Sequence, residues 1–399
     1  MKPPLFSPDG QRLIVAGWRE VSVWRLQDHA LLYRLRFPEV HHCLVSPDGA
    51  LLVVALPSEI RLYYLEDGSL RSILPVAGAR AIRFSPDGAL LAVGLYAETR
   101  LYRVADGALQ GVLAARGTPL VFSPDGRYLV AGDTVWQLPE GVPVFTFNWL
   151  RGETATAAFS RDGSWLASGT LYEDGDWSWW DLRGDFQILR VGSWEPIVYR
   201  QADAAFHQLA FLPDGRHLVV GMNASGGWAE GSHRNGSLRI WQQPELAETI
   251  SLVGLPTFTL SSTSRYLLAA LHGSSASYKS PYSERNSLVL WRVHRGQVLQ
   301  ARQYEEGMAS EVGRPFALAI SPDERLIAYA RSGGVVVVAR NPLFTPYGDV
   351  NTDGCINDLD LIAVLSAFGS TESAPDINGD GQVDDADLLI VLFNFGAGC

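Results

Sequence analysis

Near its C-terminus the chain twice places oxygen-bearing side chains at the spacing of a twelve-residue cation loop. Asp349, Asn351, Asp353, Asn357 and Asp360 occupy loop positions 1, 3, 5, 9 and 12, with Gly354 at position 6. Asp376, Asn378, Asp380, Asp384 and Asp387 repeat the pattern 27 residues later, with Gly381 at position 6. Hard oxygens at this spacing suit calcium, which takes six to eight oxygen ligands, and glycine lets the loop turn sharply around the ion. Position 7 contributes only a backbone carbonyl, so Cys355 and Gln382 complete the two ligand sets, one for each of two calcium ions. One such acidic turn could arise by chance, but two complete copies argue against it.

The charge distribution agrees. The formal net charge is −11, and from Asn341 onward there are nine Asp and one Glu with no Lys or Arg, so the tail carries −10 of it. Carboxylates packed this densely repel one another unless cations neutralise them, which argues for metal and against nucleic acid.

Aligning residues 349–369 with 376–396 gives 11 identities in 21 positions. The shared apolar pairs Leu361/Leu388, Val364/Val391, Leu365/Leu392 and Phe368/Phe395 predict one helix after each loop. Their spacing gives each helix one apolar face, and the two faces are expected to pack on each other. Pro342 and Pro346 forbid a useful helix entering the first loop.

Short duplicated loops with Asp at position 12 and a single following helix resemble dockerin type I repeats. The resemblance implies extracellular calcium, docking to a cohesin-like β-sandwich partner, and membership of polysaccharide-degrading assemblies. Partner contacts in that family include loop positions 10 and 11, commonly small hydroxyl residues. Here they are Asp358-Leu359 and Asp385-Ala386, and the helices end early at Gly369 and Gly396. A partner other than a cellulosomal cohesin is therefore the alternative. Cys355 and Cys399 flank the tandem, and a disulfide between them would clasp it in an oxidising compartment; two buried thiols are the other reading.

The elements ahead of this tail are set by an internal repeat. Ser-Pro-Asp-Gly begins at Ser7, Ser46, Ser85 and Ser123, and degenerate copies begin at Ser160, Leu212, Ser261 and Ser321. Eight units over residues 1–342 average about 43 residues each, the length of a four-stranded propeller blade. Short apolar strands flank each tetrad, and Pro with Asp-Gly supplies the turn between them. A third strand is expected to end in an aromatic, at Trp24, Tyr63, Tyr102, Trp136, Trp180, Trp241 and Trp291. These residues resemble WD40-like, Ser-Pro-Asp-Gly propeller repeats. The fold expected is an all-β propeller of four-stranded blades, eight favoured and seven the alternative, followed by a small α-helical tandem calcium loop-helix domain. The eighth unit stops after its third strand. The domain limits expected are 1–342 for the propeller, 343–348 for a Pro-flanked linker and 349–399 for the calcium domain.

A binding face is expected where loops lengthen between second and third strands in units five to seven, beside a long connector from Ser193 to Ala205. Those loops carry Trp194, Tyr199, Arg200, Trp228, His233, Arg234, Tyr278, Tyr282 and Arg285. Aromatic and guanidinium groups on loops suit a protein or glycan ligand. His41-His42-Cys43 starts a strand and reads as structural rather than metal-binding. The sequence contains no Gly-x-Ser-x-Gly elbow, His-Glu-x-x-His, phosphate loop or Cys-x-x-Cys pair.

The reading that follows is a non-catalytic extracellular or envelope-associated binding protein, tethered through its calcium module to a cohesin-like or other protein. No membrane span is expected, because the apolar runs are too short. A propeller glycoside hydrolase or lyase, and a calcium-dependent self-assembling structural protein, are the rivals. The N-terminus shows no secretory leader, so either the chain is cytosolic or a leader upstream of Met1 is expected.

Overall fold

The computed structural model describes residues 2–149, 152–174, 181–202, 205–223, 236–242, 247–253, 255–272, 287–294, 297–305, 317–330, 335–372, 374–397 and 399. Eight antiparallel sheets follow one another along the chain, seven of four strands and the last of three. Blade 1 runs from Leu5–Phe6 to Leu31–Arg36, and blade 8 holds Ala317–Ile320, Leu326–Ala330 and Val336–Arg340. Two helices follow, α1 (Asp358–Ser366) and α2 (Asp385–Phe393). The eight-bladed propeller and the small helical tail are thus as expected.

A tetrad that has both its serine and its aspartate is a closed hydrogen-bond knot. In blade 2, Ser46 Oγ donates to Asp48 Oδ1 at 2.5 Å and accepts from the Leu51 amide at 2.8 Å, while Asp48 accepts from the Ala50 amide. The same bonds recur at Ser85/Asp87 and Ser123/Asp125. The serine is buried, so its hydroxyl must be satisfied inside the turn, and Asp two residues on does this. In blade 6 leucine replaces the serine, and Asp214 instead bonds His217 Nδ1 at 2.5 Å.

The knots also join blade to blade. A Cβ placed on Gly49 would lie 3.4 Å from the Pro8 ring, on Gly88 3.5 Å from Pro47, and on Gly126 3.7 Å from Pro86. Pro322 of the last tetrad stands in the same relation to Gly10 of the first, at 4.0 Å, which closes the ring. Between the knots, apolar side chains of neighbouring sheets interleave, as where Phe186 meets Phe206 (5.3 Å) and Trp241 (5.4 Å) between blades 5 and 6. Burying each such ring stabilises the fold by about 2 kcal/mol.

One blade departs from its expected register. The aromatic ending the third strand pairs with a leucine on the second: Leu13 with Trp24, Leu52 with Tyr63, Leu91 with Tyr102, Leu218 with Trp241. In blade 5 that partner of Leu166 is Leu189, because the third strand is Asp181–Arg190 and begins after Trp180. The long pairing of Trp165–Asp174 with Asp181–Arg190 absorbs residues expected in a loop. The expected connector from Ser193 to Ala205 likewise contains the fourth strand, Pro196–Ala202.

The segment leaving blade 8 is fastened to blade 7. Tyr266 accepts from the Thr345 amide and donates to the Leu343 carbonyl, both at 3.0 Å. Arg265 donates to the Thr345 carbonyl at 2.7 Å and lies over the Tyr347 ring at 4.9 Å.

A candidate metal centre and its partner-facing surface

The two acidic loops fold by local hydrogen bonding and share one design. Loop position 9 is the N-cap of the following helix and position 12 is its third residue. Asn357 accepts from the Leu359 amide while Asp360 reaches back to the Asn357 amide, and Asp384 with Asp387 does the same. This capping box satisfies helix-end donors and draws each loop closed. Asp360 and Asp387 are fully buried, and each also accepts from the amides of positions 2 and 3 at 2.7 to 3.1 Å. Gly354 (φ 94°) and Gly381 (φ 104°) make the sharp turn at position 6.

Asp349, Asn351, Asp353, Cys355, Asn357 and Asp360 lie along one loop, and Asp376, Asn378, Asp380, Gln382, Asp384 and Asp387 along the other. Asp349 Oδ1 is buried with no hydrogen-bond partner. Burial, and then Asp360 and Asp353 nearby, push the Asp349 carboxyl above the ordinary carboxylate range. A buried orphan oxygen among like charges is what an oxygen-seeking cation would satisfy, so the residues present fit calcium. Other loop oxygens are turned to backbone amides, and among the described residues no group of three His, Cys, Asp or Glu side chains is gathered as a ready metal cluster.

The loops are related by a local two-fold arrangement. The Ile356 amide bonds the Ala397 carbonyl and the Gly396 amide bonds that of Ile356. Val383 makes the equivalent pair with Ser370 and Gly369. Each loop is thus held by the chain leaving the other's helix, over a core of Ile356, Val364, Val383 and Val391. Cys355 and Cys399 are joined in a disulfide, Cα to Cα 4.7 Å, across one of these two seams.

The helices do not bury all of their expected apolar face. Val364 and Val391 are buried, but Leu365, Phe368, Leu392 and Phe395 are each about half exposed. With Leu359, Ile362, Leu389 and Phe393 they form a second, outward apolar surface. These helices are apolar nearly all round, a pattern for elements that bury two sides.

Of the expected propeller rim, Trp194 lies in the turn between the third and fourth strands of blade 5. It packs on Tyr128 (5.0 Å) and Phe145 (6.2 Å) of blade 4, so it sits on the tetrad side and joins blades. Tyr199 and Arg200 are on the outer strand of blade 5, with Arg200 over the Trp241 ring at 5.5 Å. Trp228, His233, Arg234, Tyr278, Tyr282 and Arg285 lie outside the described residues. Short loops on blades 1 and 3, which length alone did not single out, expose Trp18 and Tyr96, and Tyr96 edges a cavity of about 430 Å³ with Arg116 and Asp133.

At the strand start, His41 meets Glu39 at 3.1 Å, while burial, then Lys2, Arg83 and His41, bring the His42 pKa down to about 4. Burial pushes the Cys43 thiol up to about 12. Among the described residues no helix is long and apolar enough to cross a membrane.

Residues 347–392 match the dockerin type I domain, so the chain carries such a domain behind its propeller. No curated protein matches the chain. Among solved structures, it is similar to the hydrazine synthase of Kuenenia stuttgartiensis, with TM-score 0.51 and 13% identity over 76% of this chain and 96% of that one. It is also similar to a dihydro-heme d1 dehydrogenase, NirN, with TM-score 0.53 and 20% identity over 76% of this chain and 66% of that one. A β-propeller domain from Myceliophteria thermophila has TM-score 0.49 at 15% identity, over 85% of this chain and 96% of that one. At these identities the likeness to the first two is one of fold.

Proposed function

We propose that this is a binding protein whose tail tethers the propeller to a cohesin-like β-sandwich partner outside the cell or in its envelope. The observation that carries the reading is the set of large apolar side chains exposed on and just after α1 and α2, among them Leu365, Phe368, Leu392 and Phe395. Eight large apolar side chains exposed on one small domain form a patch of the kind that marks a protein interface. The dockerin match supports a cohesin-like occupant.

Two calcium ions hold the module, one in each loop, through the side chains of Asp349, Asn351, Asp353, Asn357 and Asp360 and those of Asp376, Asn378, Asp380, Asp384 and Asp387. Cys355 and Gln382 lend backbone carbonyls. The ion supplies charge neutralisation and pins the loop; the capping boxes then orient the helices that carry the docking face. The disulfide supports an oxidising compartment. The propeller presents a protein or glycan ligand surface on its loop side, where Trp18 and Tyr96 are exposed.

The test is capture of purified cohesin-type domains by the immobilised chain in calcium, repeated in chelator and with the Leu365→Asp/Leu392→Asp variant. Binding lost in both cases, with helical content of the variant unchanged, is the expected result. Binding that survives the double variant overturns the assignment of the face, and capture of polysaccharide alone favours a carbohydrate-active propeller.

A further inference from the structure

The N-terminal halves of both acidic loops rest on the propeller. Asp349, Val350 and Thr352 of the first loop, with Asp376 and Ile377 of the second, line a cavity of about 270 Å³ whose other wall is blade 7, including Arg265, Arg292 and His294. Beside it, Ile377, Asn378 and Gly379 approach the degenerate tetrads of blades 6 and 7, leaving only about 20 Å³ between them. A Cβ added to Gly379 would meet the His294 ring at 3.9 Å. Arg265 and Arg292 thus line the same cavity as the first-position aspartates of both loops, and Arg292 feels the charge of Asp349.

The segment joining the two parts is fixed to this same blade through Tyr266 and Arg265. Loop positions 1 to 4 therefore touch the propeller and also include the ligands at positions 1 and 3. Their backbone path is set by whether an ion gathers those ligands. A surface that fits one arrangement of these residues discriminates between the ion-bound and ion-free loops.

We propose that the tetrad side of blades 6 and 7 is a docking seat for the calcium-loaded form of the chain's own tail, so that ion binding and docking are coupled. The inference rests on the loops being calcium sites. Coupling is reciprocal: if calcium favours docking by some factor, docking favours calcium by the same factor. The module is then presented to its partner in a fixed orientation when loaded, and swings free when stripped.

Two readouts on the full chain, with no partner present, test this. In X-ray scattering, removal of calcium is expected to lengthen the maximum particle dimension of the wild type. In calorimetric titration, Ser264→Trp, an uncharged wedge between blade 7 and the second loop, is expected to weaken calcium binding at least about fivefold. It is also expected to leave the particle long in saturating calcium. Equal dimensions with and without calcium, or unchanged affinity in a wedge variant whose particle stays long, overturn the coupling. Absence of any calcium heat in the wild type overturns it together with the metal reading, whereas failure to bind a cohesin leaves it standing.

Discussion

Thr263 donates its hydroxyl hydrogen bond to Glu324, joining the degenerate tetrads of blades 7 and 8, Ser-Ser-Thr-Ser and Ser-Pro-Asp-Glu. Glu324 stands where six of the other tetrads have glycine and that of blade 7 has Ser264, and it keeps the left-handed backbone of that position, φ 63°. Such a conformation costs a non-glycine residue about 1 kcal/mol. Its buried carboxylate compensates by taking the Thr263 amide and lying 3.8 Å from Arg265 Nε. Arg265 in turn holds the chain on its way to the tail.

Glu324→Gly, although it restores the repeat, is therefore expected to destabilise the propeller by about 2 kcal/mol, because it leaves Arg265 largely buried without its partner. Urea unfolding measures this, and a variant more stable than wild type would refute the compensation.

Gly94 and Gly117 bring two backbones together at the junction of blades 3 and 4. A Cβ on Gly94 would lie 2.1 Å from the Gly117 carbonyl oxygen, and the Gly117 amide bonds Leu95. Neither backbone can yield without breaking that bond, so Gly94→Ala is expected to cost about 3 kcal/mol or more, at the upper end of single-residue effects. Thermal melting separates this from Gly78→Ala. Gly78 has open space around its Cβ position and loses only its tolerated φ of 71°.

What the sequence made legible were features closed within a few residues. The Ser-Asp knot needs only its own tetrad, and the cation loops need only twelve residues, so the blades and both loops could be read directly. The register of blade 5 could not, because Leu189 stands there in place of the aromatic that marks the end of the third strand in other blades. Helical spacing identified Val364 and Leu365 alike as apolar, but a helix apolar on two sides does not reveal which side faces inward. Trp194, grouped with the rim for its type, joins blades through Tyr128, a contact 66 residues away in sequence. The seat beneath the tail is built wholly from such distant pairs.

Acid should act on the propeller in two stages. The His42 pKa is brought down to about 4 by burial, then by Lys2, Arg83 and His41, so the fold favours its neutral form. The unfolded chain binds that proton near pH 6.5, so stability is lost as pH falls from 6.5 toward 4. The tetrad carboxylates Asp48 and Asp87 lie below the ordinary range, chiefly through Ser46 and Ser85, and their contribution is lost only at lower pH, as they protonate in the fold. His42→Gln is expected to flatten the melting temperature between pH 6.5 and 4.5 while leaving the steeper loss below pH 4. An unchanged slope in the upper window would remove His42 as its source.

The disulfide is expected to support the tail alone. Cys355 and Cys399 close a ring with a sequence separation of 44, worth about 4 kcal/mol in the chain-entropy account. Cys43, the remaining cysteine, is free, so the propeller has no covalent link to lose. With calcium held fixed, reductant should lower the denaturant midpoint of helix loss and leave the propeller transition in place. Equal midpoints for the helices with and without reductant would show the clasp to be energetically idle.

The two loops differ at position 4, where the first has Thr352 and the second Gly379, both with left-handed backbone, φ 61° and 77°. Gly379 donates its amide to Asp376 Oδ1 at 2.9 Å, whereas the corresponding Asp349 Oδ1 is the buried oxygen without a partner. A β-branched residue in this conformation carries about 1 to 2 kcal/mol of strain, which glycine does not. Thr352→Gly is therefore expected to strengthen calcium binding at the first loop by about fivefold, since relief of roughly 1 kcal/mol confined to the loaded loop converts to that ratio. The reciprocal Gly379→Thr should weaken the second loop by a similar factor. Titration of the two variants side by side checks both signs, and a Thr352→Gly variant with weaker binding would mean that the threonine makes a contact worth more than its strain.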